Sequence, residues 1–89
     1  MEVSFSTSFQ RAFRKRIQHT NAESAFWAAL DLFVLNPFTN QLRTHKLSGK
    51  LQDLWSFSFG YDLRVVFFFT DDTPQKAVFV DVGTHAEVY

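Results

Sequence analysis

Residues 63–70 read Leu63-Arg64-Val65-Val66-Phe67-Phe68-Phe69-Thr70. The run is short, almost wholly apolar, and built from aromatic and β-branched side chains, the composition of a strand. Apolarity that is nearly continuous, with no alternation, suits a central strand covered on much of both faces. The two-residue period puts Arg64, Val66 and Phe68 on one side of it.

The flanks support this reading. Gly60-Tyr61-Asp62 is a turn candidate on one side, and Asp71-Asp72-Thr73-Pro74-Gln75 is a hairpin loop on the other. Before the turn, residues 54–59 alternate: Trp55, Phe57 and Phe59 point one way, and Leu54, Ser56 and Ser58 the other. After the loop, residues 76–83 form the last strand, and His85 follows Gly83-Thr84 just past it. Further upstream, residues 43–49 (R-T-H-K-L-S-G) read as a short extended segment that ends in a turn at Ser48-Gly49.

The first half has a different period. Val3-Ser4-Phe5-Ser6 alternates as a short first strand, and Ser6, Thr7 or Ser8 can cap a helix. Phe9, Phe13 and Ile17 or Ala12 then recur at helical spacing to about His19, opposite a basic face of Arg11, Arg14, Lys15 and Arg16. A second helix runs from about Asn21, its expected cap, to Leu35, with Ala22, Ala25, Phe26, Ala29, Leu30 and Phe33 as its apolar stripe. Asn36-Pro37 ends it, because a residue before proline avoids the helical region. The order is strand, helix, helix, then three or four antiparallel strands. This is an α+β plan in which a two-helix hairpin packs on a twisted, mainly antiparallel sheet and the first strand returns beside a later one.

At 89 residues the chain is expected to be one domain, spanning 1–89. It is 46% hydrophobic with 12 phenylalanines, enough for a packed core and inconsistent with disorder. It has no cysteine, so disulfides and thiolate metal sites are excluded. No run approaches the ~18 apolar residues of a membrane span, and the N-terminus lacks the pattern of a signal peptide. A soluble, cytoplasmic protein without membrane contact is expected. Net charge is zero, yet residues 1–50 carry seven Lys and Arg against three acidic residues, and residues 51–89 carry two against six. Neutrality argues against non-specific coating of nucleic acid, but a local basic surface can still meet phosphate. An ordinary solvated face accounts for it equally well.

Few residues offer chemistry. Arg64 sits inside an apolar strand, where a guanidinium needs a partner or a ligand. It either pairs with Asp62 or Asp81, lies at a solvated edge, or holds a phosphate with its forked donors. His45 and His85 are surface residues beside turns or an acid/base pair. His19, at the expected end of the first helix, is given no role. No H-x-x-x-H spacing or carboxylate cluster supports a metal site. No G-x-S-x-G or phosphate-binding loop appears, so no cofactor is expected. Two histidines, an arginine and an aromatic residue do suit metal-free RNA cleavage. That reaction needs an acid and a base, a cation for the phosphorane, and a ring to stack a splayed base.

Four stretches then carry a resemblance: F-x-R-x-F-R-K at 9–15, Asn36-Pro37 ahead of T-H-K-L-S-G at 44–49, Y-D-L-R-V-V-F-F at 61–68, and G-T-H-A-E-V-Y at 83–89. Together, over nearly the whole chain, the sequence resembles the RelE/ParE superfamily of type II toxin–antitoxin toxins, and within it the YafQ-like mRNA interferases. The resemblance implies a RelE-like fold. It also implies a ribosome-dependent endoribonuclease that cuts mRNA in the ribosomal A site through 2′-hydroxyl attack, without a metal, and is neutralised by a cognate antitoxin. On matching positions it implies His45 and His85 as acid and base, Asp62 as a functional aspartate, Tyr89 as the terminal aromatic residue and Arg64 on the scissile phosphate. Arg43 and Lys46 would contact backbone phosphates. Ser58 departs from the pattern, because YafQ-like members often carry a histidine there, and a serine does not titrate near neutral pH. A ParE-like gyrase-inhibiting toxin, or a catalytically weakened antitoxin-binding member of the fold, is the alternative.

Overall fold

The computed structural model describes residues 1–51 and 53–89. A first strand, β1 (Glu2–Phe5), leads into Ser6, whose hydroxyl accepts from the Phe9 amide at 3.1 Å and caps α1 (Thr7–Arg16). This helix stops short of His19. Ile17 is fully buried at its end, and the chain reverses at once, with His19 in the left-handed region at φ 63°. The reversal is held by side chains: the His19 amide donates to Glu23 Oε1 at 2.8 Å, and the Ala22 amide donates to Thr20 Oγ1 at 3.2 Å. Thr20, and not Asn21, therefore serves as the cap. Asn21 already has helical dihedrals, and its side chain makes no capping bond.

The second helix, α2 (Ala22–Leu35), buries Phe26, Ala29 and Phe33, with Ala22, Ala25 and Leu30 packed around them. It ends at Asn36, extended at φ −159° ahead of Pro37. A 3-10 turn (Asn40–Leu42) then leads to β2 (His45–Lys46), β3 (Trp55–Phe59), β4 (Leu63–Phe69), β5 (Lys76–Thr84) and a last short helix, α3 (His85–Val88).

The five strands form one sheet in the order β1-β5-β4-β3-β2, with β4 at its centre as residues 63–70 require. β1 returns parallel to β5, and the other pairings are antiparallel. The last strand is longer than expected. It continues one residue past Gly83, which pairs with Arg64 as part of the sheet, to Thr84. Register shifts where Val66 opposes Asp81 and Phe67 opposes Phe79, which leaves Val80 as an extra residue in β5. That bulge lets Phe79 and Val82, three positions apart, both face the core.

The helices α1 and α2 cover one face of the sheet. Phe33 is the hub there, with ring centroids 5.2 Å from Phe57, 5.1 Å from Phe67 and 5.2 Å from Phe79. Truncating such a ring typically costs ~3–5 kcal/mol. The other face of the sheet carries the short α3 over β4 and β5. There Val66 and Ser56 are buried. No helix among the described residues is long and apolar enough to cross a membrane.

Candidate active site

Strand pairing assigns side chains to the α3-bearing face. Trp55, Phe57 and Phe59 face α2, so Ser56 and Ser58 face the other way. Their register partners share that side: His45 is opposite Ser56, and Arg64 is opposite Ser58. The tail completes the group. Tyr89 Oη donates to Ser56 Oγ at 2.6 Å, and the His85 ring stands edge-on to Tyr89 with centroids 4.5 Å apart. His45, Arg64, His85 and Tyr89, far apart in sequence, thus gather around two serines of β3.

Arg64 has neither of the carboxylate partners considered for it. Asp81 is bound to Arg16 at 3.1 Å, and Asp62 stands exposed in the turn at φ 58°. The Arg64 guanidinium donates instead to Ser58 Oγ at 2.5 Å and, among the described residues, makes no ion pair. A hydroxyl orients the guanidinium without neutralising it. The cation remains available to an anion, in a strand that fixes its position. Arg64 lines an open cleft of about 480 Å³ with Gln41, Arg43, Ser58, Tyr61 and Asp62. Asp62 and Arg43 therefore join Arg64 at one end of the face.

His45 is exposed, and its Nδ1 lies 3.0 Å from the carbonyl oxygen of Arg43. A carbonyl only accepts, so Nδ1 carries the proton and the neutral ring keeps its Nε2 lone pair free. Arg43 presents that carbonyl from a left-handed conformation at φ 53°. Lys46 does not join the group: it pairs with Trp55, on the helix-bearing side of the sheet, while its neighbour His45 faces the other way.

The basic face of α1 is smaller than its sequence suggests. Arg16 is half-buried and committed, donating through one Nη to Asp81 Oδ1 at 3.1 Å and to the Val82 carbonyl at 3.0 Å. Arg11, Arg14 and Lys15 stay exposed. Glu87 closes a capping box on α3, accepting from the Thr84 amide at 2.7 Å. That bond, with lesser help from the Thr84 hydroxyl and from the Arg16 and Lys15 charges, holds the Glu87 carboxyl below the usual range. Among the described residues, no group of three or more His, Cys, Asp or Glu is placed to hold a metal ion.

Sequence reading gave Ser56 and Glu87 no role, took Arg16 only as part of a basic face, and saw Ser58 only as a missing imidazole. The available signal was the pair of serines on the polar side of an otherwise aromatic strand.

No protein-family profile and no curated protein sequence matches the chain. Solved structures do. YafQ from E. coli strain BL21(DE3) superposes with a TM-score of 0.80 at 16% identity, over 99% of this chain and 97% of that one. The fold is that of the YafQ toxins. The same protein in the E. coli DinJ–YafQ toxin–antitoxin complex superposes at 0.76 with 16% identity, over 99% and 96% of the two chains. A copper-bound mutant toxin from Helicobacter pylori matches at 0.73 with 22% identity, over 100% and 99%. A YoeB/ParE toxin from Agrobacterium tumefaciens matches at 0.73 with 17% identity, over 96% and 99%. Each match spans nearly the whole of both chains.

Proposed function

We propose that the chain is the toxin of a type II toxin–antitoxin system, an endoribonuclease that cleaves translated mRNA in the ribosomal A site. The observation that carries this reading is that His45, His85, Tyr89 and Arg64, an arginine without a carboxylate partner among the described residues, share one sheet face. That set supplies what transesterification of RNA needs. The neutral His45 takes the 2′-hydroxyl proton at Nε2. The 2′-oxygen then bonds to the adjacent phosphorus, and Arg64 stabilises the charge on the phosphorane oxygens. The P–O5′ bond breaks, and the leaving 5′-oxygen takes its proton from His85. The products are a 2′,3′-cyclic phosphate and a 5′-hydroxyl. Tyr89 and Asp62 border the reacting groups, and Arg43 meets a flanking phosphate. Lys46, on the other side of the sheet, is left out of this surface.

A cognate antitoxin is the proposed partner, as DinJ is for YafQ. A ribosome-borne substrate places the activity in the cytoplasm. Brief expression followed by primer-extension mapping of transcripts tests the reading. Discrete cuts within translated codons are expected. Intact messages with stalled DNA replication would identify a gyrase inhibitor of the same fold. Intact messages and normal replication would leave an antitoxin-binding protein without nuclease activity.

A further inference from the structure

A helix of four residues cannot hold itself, because its first turn orders several residues for a single hydrogen bond. Yet α3 carries His85 as its first residue and sets where that imidazole stands. Something outside the tail must fix it. At its far end Tyr89, whose ring meets that of His85, is bonded to Ser56. The near end is tied to α1.

We infer that Arg16 is a positioning residue for His85, acting through Glu87. The Arg16 side chain reaches from α1 to the edge of β5. There its guanidinium is seated on the Val82 carbonyl at 3.0 Å and on Asp81 at 3.1 Å, so the strand itself orients it. Its Nε then stands 3.7 Å from Glu87 Oε2. The other oxygen of the same carboxylate, Oε1, receives the Thr84 amide at 2.7 Å. One carboxylate thus joins an anchored guanidinium to the residue immediately before His85.

Gly83 shows how tight this joint is. A β-carbon there would lie 2.7 Å from Glu87 Oε1 and 3.1 Å from both Cδ and one Nη of Arg16. Real β-carbons essentially never approach other atoms to 2.7 Å, so alanine at 83 must displace the end of the Glu87 or the Arg16 side chain. Glycine is needed here for close approach and not for a turn, since Gly83 lies within the strand.

The inference rests on His85 belonging to the active site, and its test separates the two ideas. Gly83→Ala, Arg16→Gln, Glu87→Gln and the Arg16→Gln/Glu87→Gln double variant are compared with the wild-type chain. Glutamine at 87 can still accept the Thr84 amide, so that variant removes only the charge facing Arg16. Two readouts are taken: cleavage of translated mRNA, and NMR contacts between the His85 and Tyr89 rings. Loss of the His85–Tyr89 contact is expected in Gly83→Ala and Arg16→Gln while the aromatic core signals stay in place. Cleavage should fall by about ten- to a hundredfold, the scale of a misplaced catalytic group. The double variant should lose no more than Arg16→Gln alone, because both substitutions break one link. An unchanged ring contact in Gly83→Ala and Arg16→Gln, or losses in the double variant that simply add, would overturn the inference. A wild-type chain that never cleaves, but whose ring contact still depends on Arg16 and Gly83, would sink the nuclease reading and leave the positioning role standing. If Arg16→Gln unfolds, Arg16→Lys keeps the charge without the fork. Ring contacts retained in a folded Arg16→Lys chain would also count against a guanidinium seated on β5.

Discussion

The phenol of Tyr89 donates to the hydroxyl of Ser56 at 2.6 Å, across 33 positions of sequence. The two ends of this bond differ. Ser56 is completely buried, whereas Tyr89 is 39% exposed. Breaking the bond from either side should therefore cost different amounts. Tyr89→Phe strands a buried hydroxyl, which typically costs ~1–3 kcal/mol. Ser56→Ala leaves a phenol that can turn to water and should cost less. The double variant Tyr89→Phe/Ser56→Ala should be more stable than Tyr89→Phe alone. Urea melts of the three proteins measure this, and equal midpoints for the two single variants would contradict it.

The histidines are expected to act in the chemistry and not in the fold. Both are exposed. His45→Ala and His85→Ala should each lower cleavage by ~10²–10⁴-fold, the usual worth of a general acid or base. Thermal melting should barely move. Equal growth arrest by the wild type and the His45→Ala/His85→Ala double variant would remove both from the mechanism.

Arg64 separates charge from shape. Arg64→Lys keeps a cation beside Ser58 but loses the planar fork that grips phosphate. The variant should fold and bind antitoxin normally, and cut translated mRNA much more slowly. Near wild-type cleavage would mean that a point charge suffices, and insoluble protein would mean that the residue serves the sheet.

The pH dependence of the tail follows from Glu87, whose carboxyl is held below the ordinary range chiefly by the Thr84 amide. A carboxylate with a depressed folded-state pKa stabilises above its unfolded value, and that contribution is lost as pH falls through the folded value. The groups facing it are Arg16 and Lys15, and the link runs on through Arg16 to Asp81. Residues 85–89 should therefore stay ordered at neutral and mildly acidic pH and loosen only below the usual glutamate range. Amide NMR signals followed from neutral pH into acid would show it, and loosening near the ordinary histidine value of about pH 6.5 would point to an imidazole instead.

The exposed cations of α1 offer a surface for a partner. Replacing Arg11, Arg14 and Lys15 with glutamine spares Arg16 and its contacts with Asp81 and Glu87. Affinity for an acidic antitoxin segment or for ribosomes should fall, with a weaker salt dependence. Measuring the two separately identifies which is lost, and loss of neither would leave the cluster as a solvated face.

Much of the fold was legible because periodicity is local. The apolar run at 63–70 marked the central strand, serine–aromatic alternation marked β3, and Asn36-Pro37 closed α2. Each of these depends on neighbours within a few residues. The choice of Thr20 over Asn21 as a cap, and the early end of α1, depended on how sharply the hairpin had to turn over buried Ile17. The bulge at Val80 was invisible because it arises from the pairing of two strands. Likewise, only strand pairing showed which face of the sheet His45 takes; its neighbour Lys46 then faces the other way by the alternation of the strand.

The site divides in the same way. From sequence alone came the residue types that RNA cleavage needs, and a resemblance that named His45, Asp62, Arg64, His85 and Tyr89. Only the tertiary structure decided what each of them meets. Arg64 meets Ser58 and not an aspartate, Asp81 is taken by Arg16, and Tyr89 reaches Ser56. Composition and spacing report which side chains lie on one element, because backbone geometry repeats. They do not report which charge neutralises which, since that depends on distances between elements set by packing. The sequence therefore determined the elements and the chemistry on offer, while the closing of β5 and α3 against α1 decided which cation was left for an anion.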